Sequence, residues 1–166
     1  MPIVTTARLS LREMTDQDLD DMADLLGDEQ VMRYYPRPKT RAEAQDWISW
    51  NRRLYEEHGF GLWIISLTET GEFVGDCGLT IQQVDGASEV ELGYHVRTGC
   101  QRRGYATEAA ATCRDLARER FGVDRLIAII NPANGPSRAV AEKIGLRLEK
   151  HARVHGEDRA IYAAQL

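Results

Sequence analysis

Basic charge is scarce in this chain of 166 residues: 21 Lys and Arg stand against 26 Asp and Glu, giving a net charge of −5. A nucleic-acid binder wants a basic face, so that class is disfavoured. No apolar run approaches the roughly 18 residues needed to span a bilayer. No charged-then-apolar leader opens the chain, so export is not expected either. Cysteine is limited to Cys77, Cys100 and Cys113. That is an odd number without metal-ligand spacing, which points to free thiols in a reducing, cytoplasmic compartment and to no metal site. Repeats, linkers and low-complexity tracts are also missing. What is present is 43% apolar, enough for a core and too much for wholesale disorder. The length implies one domain over residues 1–166.

The periodicities give an ordered set of elements. Arg8-Leu9-Ser10-Leu11-Arg12 alternates as a strand does. Thr15 or Asp16 caps a helix whose apolar stripe is Leu19, Met22, Ala23, Leu25 and Leu26. Pro36 and Pro38 forbid a helix in the next stretch. Thr40 and Glu43 then form a capping box for a second helix, closed by His58-Gly59. The stretches 61–67, 73–81 and 88–96 read as an antiparallel meander turning at Thr70-Gly71 and Asp85-Gly86. The glycines of the middle strand mark a bulge or a close backbone approach. Ala109, Ala110, Cys113, Leu116, Ala117 and Phe121 share a helix face, with Gly122 as the stop. Arg125 to Ile130 is nearly all apolar, the mark of a strand covered on both faces. Asn134 caps a last helix ending at Gly145, and two strands around His155-Gly156 finish the chain. The order is β-αα-βββ-α-β-α-ββ.

Between the strand ending at Val96 and the central helix lies Gln101-Arg102-Arg103-Gly104-Tyr105-Ala106. A helix start exposes several backbone N–H groups and the positive end of the helix dipole, a ready site for phosphate oxygens. Gly104 lets the backbone approach an anion closely. The loop lacks the Gly-Lys-Ser/Thr of a P-loop and the paired glycines of a dinucleotide fingerprint.

Gln101-Arg102-Arg103-Gly104-Tyr105-Ala106 resembles the acetyl-CoA pyrophosphate loop, Q/R-x-x-G-x-G/A, of the GNAT superfamily of N-acetyltransferases. The resemblance extends over nearly the whole chain, through Arg8-Leu9-Ser10-Leu11-Arg12, Glu91-Leu92-Gly93-Tyr94, Asn131 to Ser137 and Gly145-Leu146. The R-L-x-L-R opening and the N-x-x-N-x-x-S spacing are similar to the RimJ/RimL, ribosomal-protein-type branch. The resemblance implies an α/β (α+β) fold with a mixed, mostly antiparallel sheet of about seven strands and about four helices, splayed between the fourth and fifth strands. It implies that backbone amides from Arg102 to Ala106, in the motif opened by Gln101, hold the pyrophosphate. It also implies that the pantetheine arm lies in the splay, hydrogen-bonded by Asn134, with Ser137 near the thioester sulfur. The partners would be acetyl-CoA and an amine acceptor, a protein N-terminus or a small molecule, on a monomer or homodimer.

Acetyl transfer to an amine needs a base for the amine, a donor for the developing oxyanion and a polar partner for the thiolate. Glu91 is the first candidate base, directly or through a water, with Glu89 on the same strand face as the reserve. The Val96 backbone N–H is the simplest oxyanion donor, and Ser137 can donate to the sulfur. His95 is left out, its direction depending on how regular the strand is. Many superfamily members place a Tyr acid seven residues after the Asn, where this chain has Ala141. Tyr34, Tyr35, Trp47 and Trp50 are candidate walls of an acceptor site. The alternative to an enzyme is a non-catalytic acyl-CoA-binding sensor or interaction module.

Overall fold

The computed structural model describes residues 1–166, and a single eight-stranded sheet runs through it. The strands are β1 (Val4–Thr5), β2 (Leu9–Arg12), β3 (Leu62–Leu67), β4 (Phe73–Val84), β5 (Ala87–Val96), β6 (Arg125–Ile130), β7 (Arg147–Val154) and β8 (Glu157–Gln165). They lie in the order β1-β2-β3-β4-β5-β6-β8-β7. Every neighbouring pair is antiparallel except β5 and β6. The strand beyond the expected seven is β1, two residues paired to Ser10 and Leu11, too short to leave a periodic signature.

Four helices flank the sheet: α1 (Leu19–Leu26), α2 (Arg41–His58), α3 (Tyr105–Glu119) and α4 (Gly135–Lys143). Thr40 and Glu43 exchange the two hydrogen bonds of the capping box, and Gly59 ends α2 in the left-handed region at φ 78°, where a Cβ would be strained. Thr15 caps a short 3-10 turn, Asp16–Asp18, that leads into α1.

Packing divides the two faces. On one, α3 sets Ala109, Ala110, Cys113 and Ala117 against Leu79, Leu92, Val96, Leu126 and Ala128, all buried. Side chains this small let the helix axis come close to the strands. On the other, Met22, Leu25 and Leu26 of α1 and Ala44 and Ile48 of α2 bury Leu62 and Ile64. Asn51 is wholly buried and ties α2 to β3, accepting from Leu62 N–H at 2.7 Å and donating to Trp47 C=O at 3.0 Å.

The glycines of β4 are close-approach positions. A Cβ on Gly78 would sit 2.0 Å from the Gly61 carbonyl oxygen, and one on Gly75 would sit 1.9 Å from that of His95. Beside them, the β3–β4 register shifts between Ile65 and Ser66.

β5 and β6 register at only one position, Glu91 with Ile127. Past it the two strands part, and their diverging ends with α4 enclose a slot of about 40 Å³, lined by Glu91, Gly93, Tyr94, Ala128, Ser137 and Ala141 among others. No helix is long and apolar enough to cross a membrane.

Candidate active site

The loop before α3 is built from main chain. Thr98–Cys100 form a 3-10 turn, the Gln101 side chain donates back to Val96 C=O at 3.0 Å, and Arg102 adopts φ 63°. Gly104, at φ 81°, is the α3 N-cap, and no side chain caps the helix. None of the amides from Arg102 to Thr107 donates a loop or cap hydrogen bond within the chain. Gln101 through Gly104 are exposed, so the loop's main chain is open to solvent there. Tyr105 is buried as the first core residue of α3, and Ala106 is half-buried.

Arg8 pins this loop from the side. Its guanidinium donates to Arg103 C=O at 2.8 Å, pairs with Glu108 at 2.8 Å and lies 4.5 Å over the Tyr105 ring. A Cβ on Gly104 would meet Arg8 Nη2 at 3.3 Å. Near the same loop, Glu72 and the Phe73 carbonyl hold the Arg97 guanidinium.

The β5 ladder fixes which amides face the slot. Arg97 N–H donates to Val74 C=O at 2.9 Å, so odd-numbered β5 residues bond to β4. In an antiparallel ladder the alternate residues turn their N–H groups the other way. The Tyr94 and Val96 amides therefore point toward the open side of β5, as an oxyanion donor from Val96 requires.

Glu91 is half-buried on the slot lining and accepts from Thr80 Oγ1 at 2.9 Å. Burial pushes its carboxyl up to about 7, against smaller opposing effects from Thr80, Gln82 and His95. No Lys or Arg pairs with it. Glu89, on the same face, is held by Arg125 at 3.0 Å. A base needs a free lone pair and a pKa near ambient pH, and Glu91 has both.

Across the slot, Asn134 caps α4 by accepting from Ser137 N–H at 3.1 Å. Ser137 Oγ is 2.8 Å from the Tyr94 hydroxyl, which burial pushes up to about 12, so Tyr94 stays protonated at neutral pH. Ala141 is buried in the core behind them. The phenol that the α4 position lacks is thus present from β5.

A second polar group lies on the Glu91 face and was missed in the sequence. His95 is buried, with Nδ1 2.8 Å from Asp76 Oδ1 and Nε2 3.1 Å from the Tyr35 hydroxyl. Trp47 Nε1–H donates to the other oxygen of Asp76 at 3.2 Å. Glu91, Gly93 and His95 occupy alternate positions, and alternation puts them on one sheet face, so this signal was available. Tyr35 lines the slot, and its loop is strapped across by Asn131, which donates to Tyr34 C=O at 2.9 Å. Of the four aromatic wall candidates, Tyr35 and Trp47 join this group directly, while Trp50 packs on Trp47 at 5.2 Å.

Known proteins bear on this arrangement. Residues 8–147 match the acetyltransferase (GNAT) domain family. The uncharacterized Bacillus subtilis protein YkkB is 36% identical over 160 residues, 96% of this chain and 93% of its own length. The uncharacterized N-acetyltransferase YnaD of the same organism is 28% identical over 147 residues, 88% of this chain and 83% of its own. Among solved structures, an acetyltransferase from Agrobacterium tumefaciens has a TM-score of 0.87 at 29% identity, covering 100% of this chain and 95% of that one. RimL, a ribosomal L7/L12 α-N-protein acetyltransferase in complex with coenzyme A, shares the fold with a TM-score of 0.81 at 17% identity, covering 100% and 98%.

Proposed function

Because the chain belongs to the GNAT acetyltransferase family, whose cosubstrate is acetyl-CoA, we propose that it acetylates a primary amine by direct attack in a ternary complex, with Glu91 as the base. The observation that carries this reading is the parting of β5 from β6, which opens a slot with Glu91 on one side and Ser137 on the other. The residues present fit the cosubstrate. Amides from Arg102 to Ala106 at an uncapped helix start suit a diphosphate, and Gly104 keeps the approach clear. Gln101 holds the loop to the end of β5, and Asn134, which caps α4, would hydrogen-bond the pantetheine arm. Bound acetyl-CoA supplies the acetyl group as a thioester.

The side chains divide the remaining work. Glu91, poised near 7, takes a proton from the incoming ammonium. The Val96 amide donates to the carbonyl oxygen as it gains charge. Ser137, backed by Tyr94, donates to the sulfur as the C–S bond breaks. A thiol's pKa is about 8.5, so this donor needs to supply little driving force.

The acceptor we assign is a protein N-terminal α-amine or a small amine, and the RimJ/RimL-like spacing of Asn131, Asn134 and Ser137 favours the former. Thiol release from acetyl-CoA against a panel of peptides and small amines tests it. Release with a peptide α-amine is the expected result. Release with small amines alone would move the acceptor class. Tight binding of acetyl-CoA with no release for any acceptor would make the protein a sensor.

A further inference from the structure

A primary ammonium must lose two protons to become an amide: R–NH3⁺ and acetyl-CoA give R–NH–acetyl, the free thiol of CoA and one proton, as a C–N bond forms and a C–S bond breaks. Glu91 can hold one proton at a time. The slot carries a second group built to take the other.

We propose that Tyr35, His95 and Asp76 form a proton relay that receives the second proton from the amine nitrogen. The proposal rests on the acetyl-transfer reading above. Asp76 is wholly buried and accepts from Trp47 on one oxygen. A carboxylate only accepts, so the 2.8 Å contact assigns the proton of neutral His95 to Nδ1. That leaves Nε2 as an acceptor, and the Tyr35 hydroxyl sits on it at 3.1 Å. Tyr35 is also the member a substrate can reach, being 44% exposed and on the slot lining beside Glu91.

The transfer balances. The nitrogen gives a proton to Tyr35 Oη as Tyr35 gives its own to His95 Nε2. The phenol is regenerated and the imidazolium is held by Asp76; of the two protons then on Glu91 and His95, one passes by way of solvent to the CoA thiolate and one to bulk water, which resets both bases. The residue as a whole is exposed, but its hydroxyl packs on His95, and desolvation of that end, then the carboxylates of Glu91 and Asp76, push it up, so it serves as a conduit and does not rest as phenolate.

Charged and titratable groups face His95 from each element packed against it. Asp76 faces it from β4 and Glu91 from β5 itself. Tyr35 faces it from the 27–40 loop. From α2 the Trp47 ring lies 5.8 Å away, with Lys39 5.4 Å over that ring. Arg159 of β8 and Tyr94 act on Tyr35 from across the slot. Tyr35 is therefore a catalytic residue, and His95 and Asp76 act through it.

The test is steady-state thiol release from acetyl-CoA, pH 6 to 9.5, with primary amines graded from alkylamines to glycinamide, for the wild type, Tyr35→Phe, His95→Gln and the double variant. Each single change is expected to lower kcat about 10²-fold near neutral pH, with the KM for acetyl-CoA within about twofold. The deficit should shrink as pH rises and for the less basic amines, since these part with the proton unaided. The double variant should be no slower than the worse single one, because a relay fails as a unit. Tyr35→Phe changes a single oxygen on a part-exposed loop residue and tests the relay even where His95→Gln does not fold. Unchanged kcat in Tyr35→Phe, or a loss equal at every pH that tracks a lowered melting midpoint, overturns the relay while acetyl transfer stands. No release by the wild type with any amine overturns acetyl transfer and the relay together.

Discussion

The two ends of the candidate site are made by opposite means. At the α3 end, the proposed pyrophosphate cradle is main chain: loop amides, a left-handed Gly104 and an exposed loop that Arg8 steadies. At the floor of the slot, the working groups are side chains taken out of water, Glu91 on Thr80 and His95 between Asp76 and Tyr35. A main-chain site draws its field from the helix and tolerates side-chain variation except where a Cβ or a charge enters. A buried side-chain site draws its reactivity from desolvation, which is why the Glu91 carboxyl is pushed up to about 7. The first should fail by sterics and charge, the second by titration.

The sharpest break of that contrast is Gly104→Glu. It adds a Cβ at φ 81° facing Arg8, and it sets a carboxylate where a diphosphate is proposed to lie. Calorimetry should show affinity for CoA falling about 10³-fold, roughly 4 kcal/mol. Circular dichroism should show a retained fold, since the position is exposed. Wild-type affinity in this variant would remove the loop from the binding site.

Next in size is Glu91→Gln. The amide keeps a hydrogen bond to Thr80 and loses the base, so kcat should fall about 10²-fold while affinity for CoA stays unchanged. In the wild type kcat should rise with pH through about 7 as Glu91 ionises. The variant should lose that rise, and a profile of the same shape in both would place the base elsewhere.

The same contrast explains what the sequence showed and what it hid. Gln101 to Ala106 is contiguous, and its chemistry belongs to a helix start, so local spacing was enough to find it. The Thr40–Glu43 box, the Asp85-Gly86 turn and the doubly covered β6 are local in the same sense. The Asp76, His95, Trp47 and Tyr35 cluster is not local, because its contacts span separations of 19, 29 and 60 residues. Asp76 reads in sequence as a polar interruption between Gly75 and Cys77, and only the packing of α2 over β4 reveals it as a buried acceptor. His95 was within reach through its alternation with Glu91, while the meeting of the Tyr94 hydroxyl with Ser137 spans 43 residues and leaves no local signature. The capture of Arg97 by Glu72 and the Phe73 carbonyl, across separations of 25 and 24 residues, likewise leaves no local signature.

The smallest expected effect concerns stability and runs opposite to the loss of activity. The folded Glu91 carboxyl, at about 7, binds its proton more tightly than an unfolded Glu at 4.5. Between these values the folded state holds more protons than the unfolded one, so stability falls as pH rises through this window. Above about pH 7 the fold therefore carries a buried anion that Glu91→Gln removes. The variant should match the wild type near pH 4.5 and exceed it at pH 8 by roughly 1–2 kcal/mol, less than the full shift because the carboxyl is only half-buried and partly solvated. Urea unfolding at the two pH values reads this directly. A gain at pH 8 together with the kinetic loss would mark Glu91 as a group held at a cost for its chemistry, a trade expected of active sites and not of structural ion pairs. Equal stability at both pH values would mean that Glu91 is solvated in the folded protein, and the slot would then lack the desolvation on which its chemistry depends.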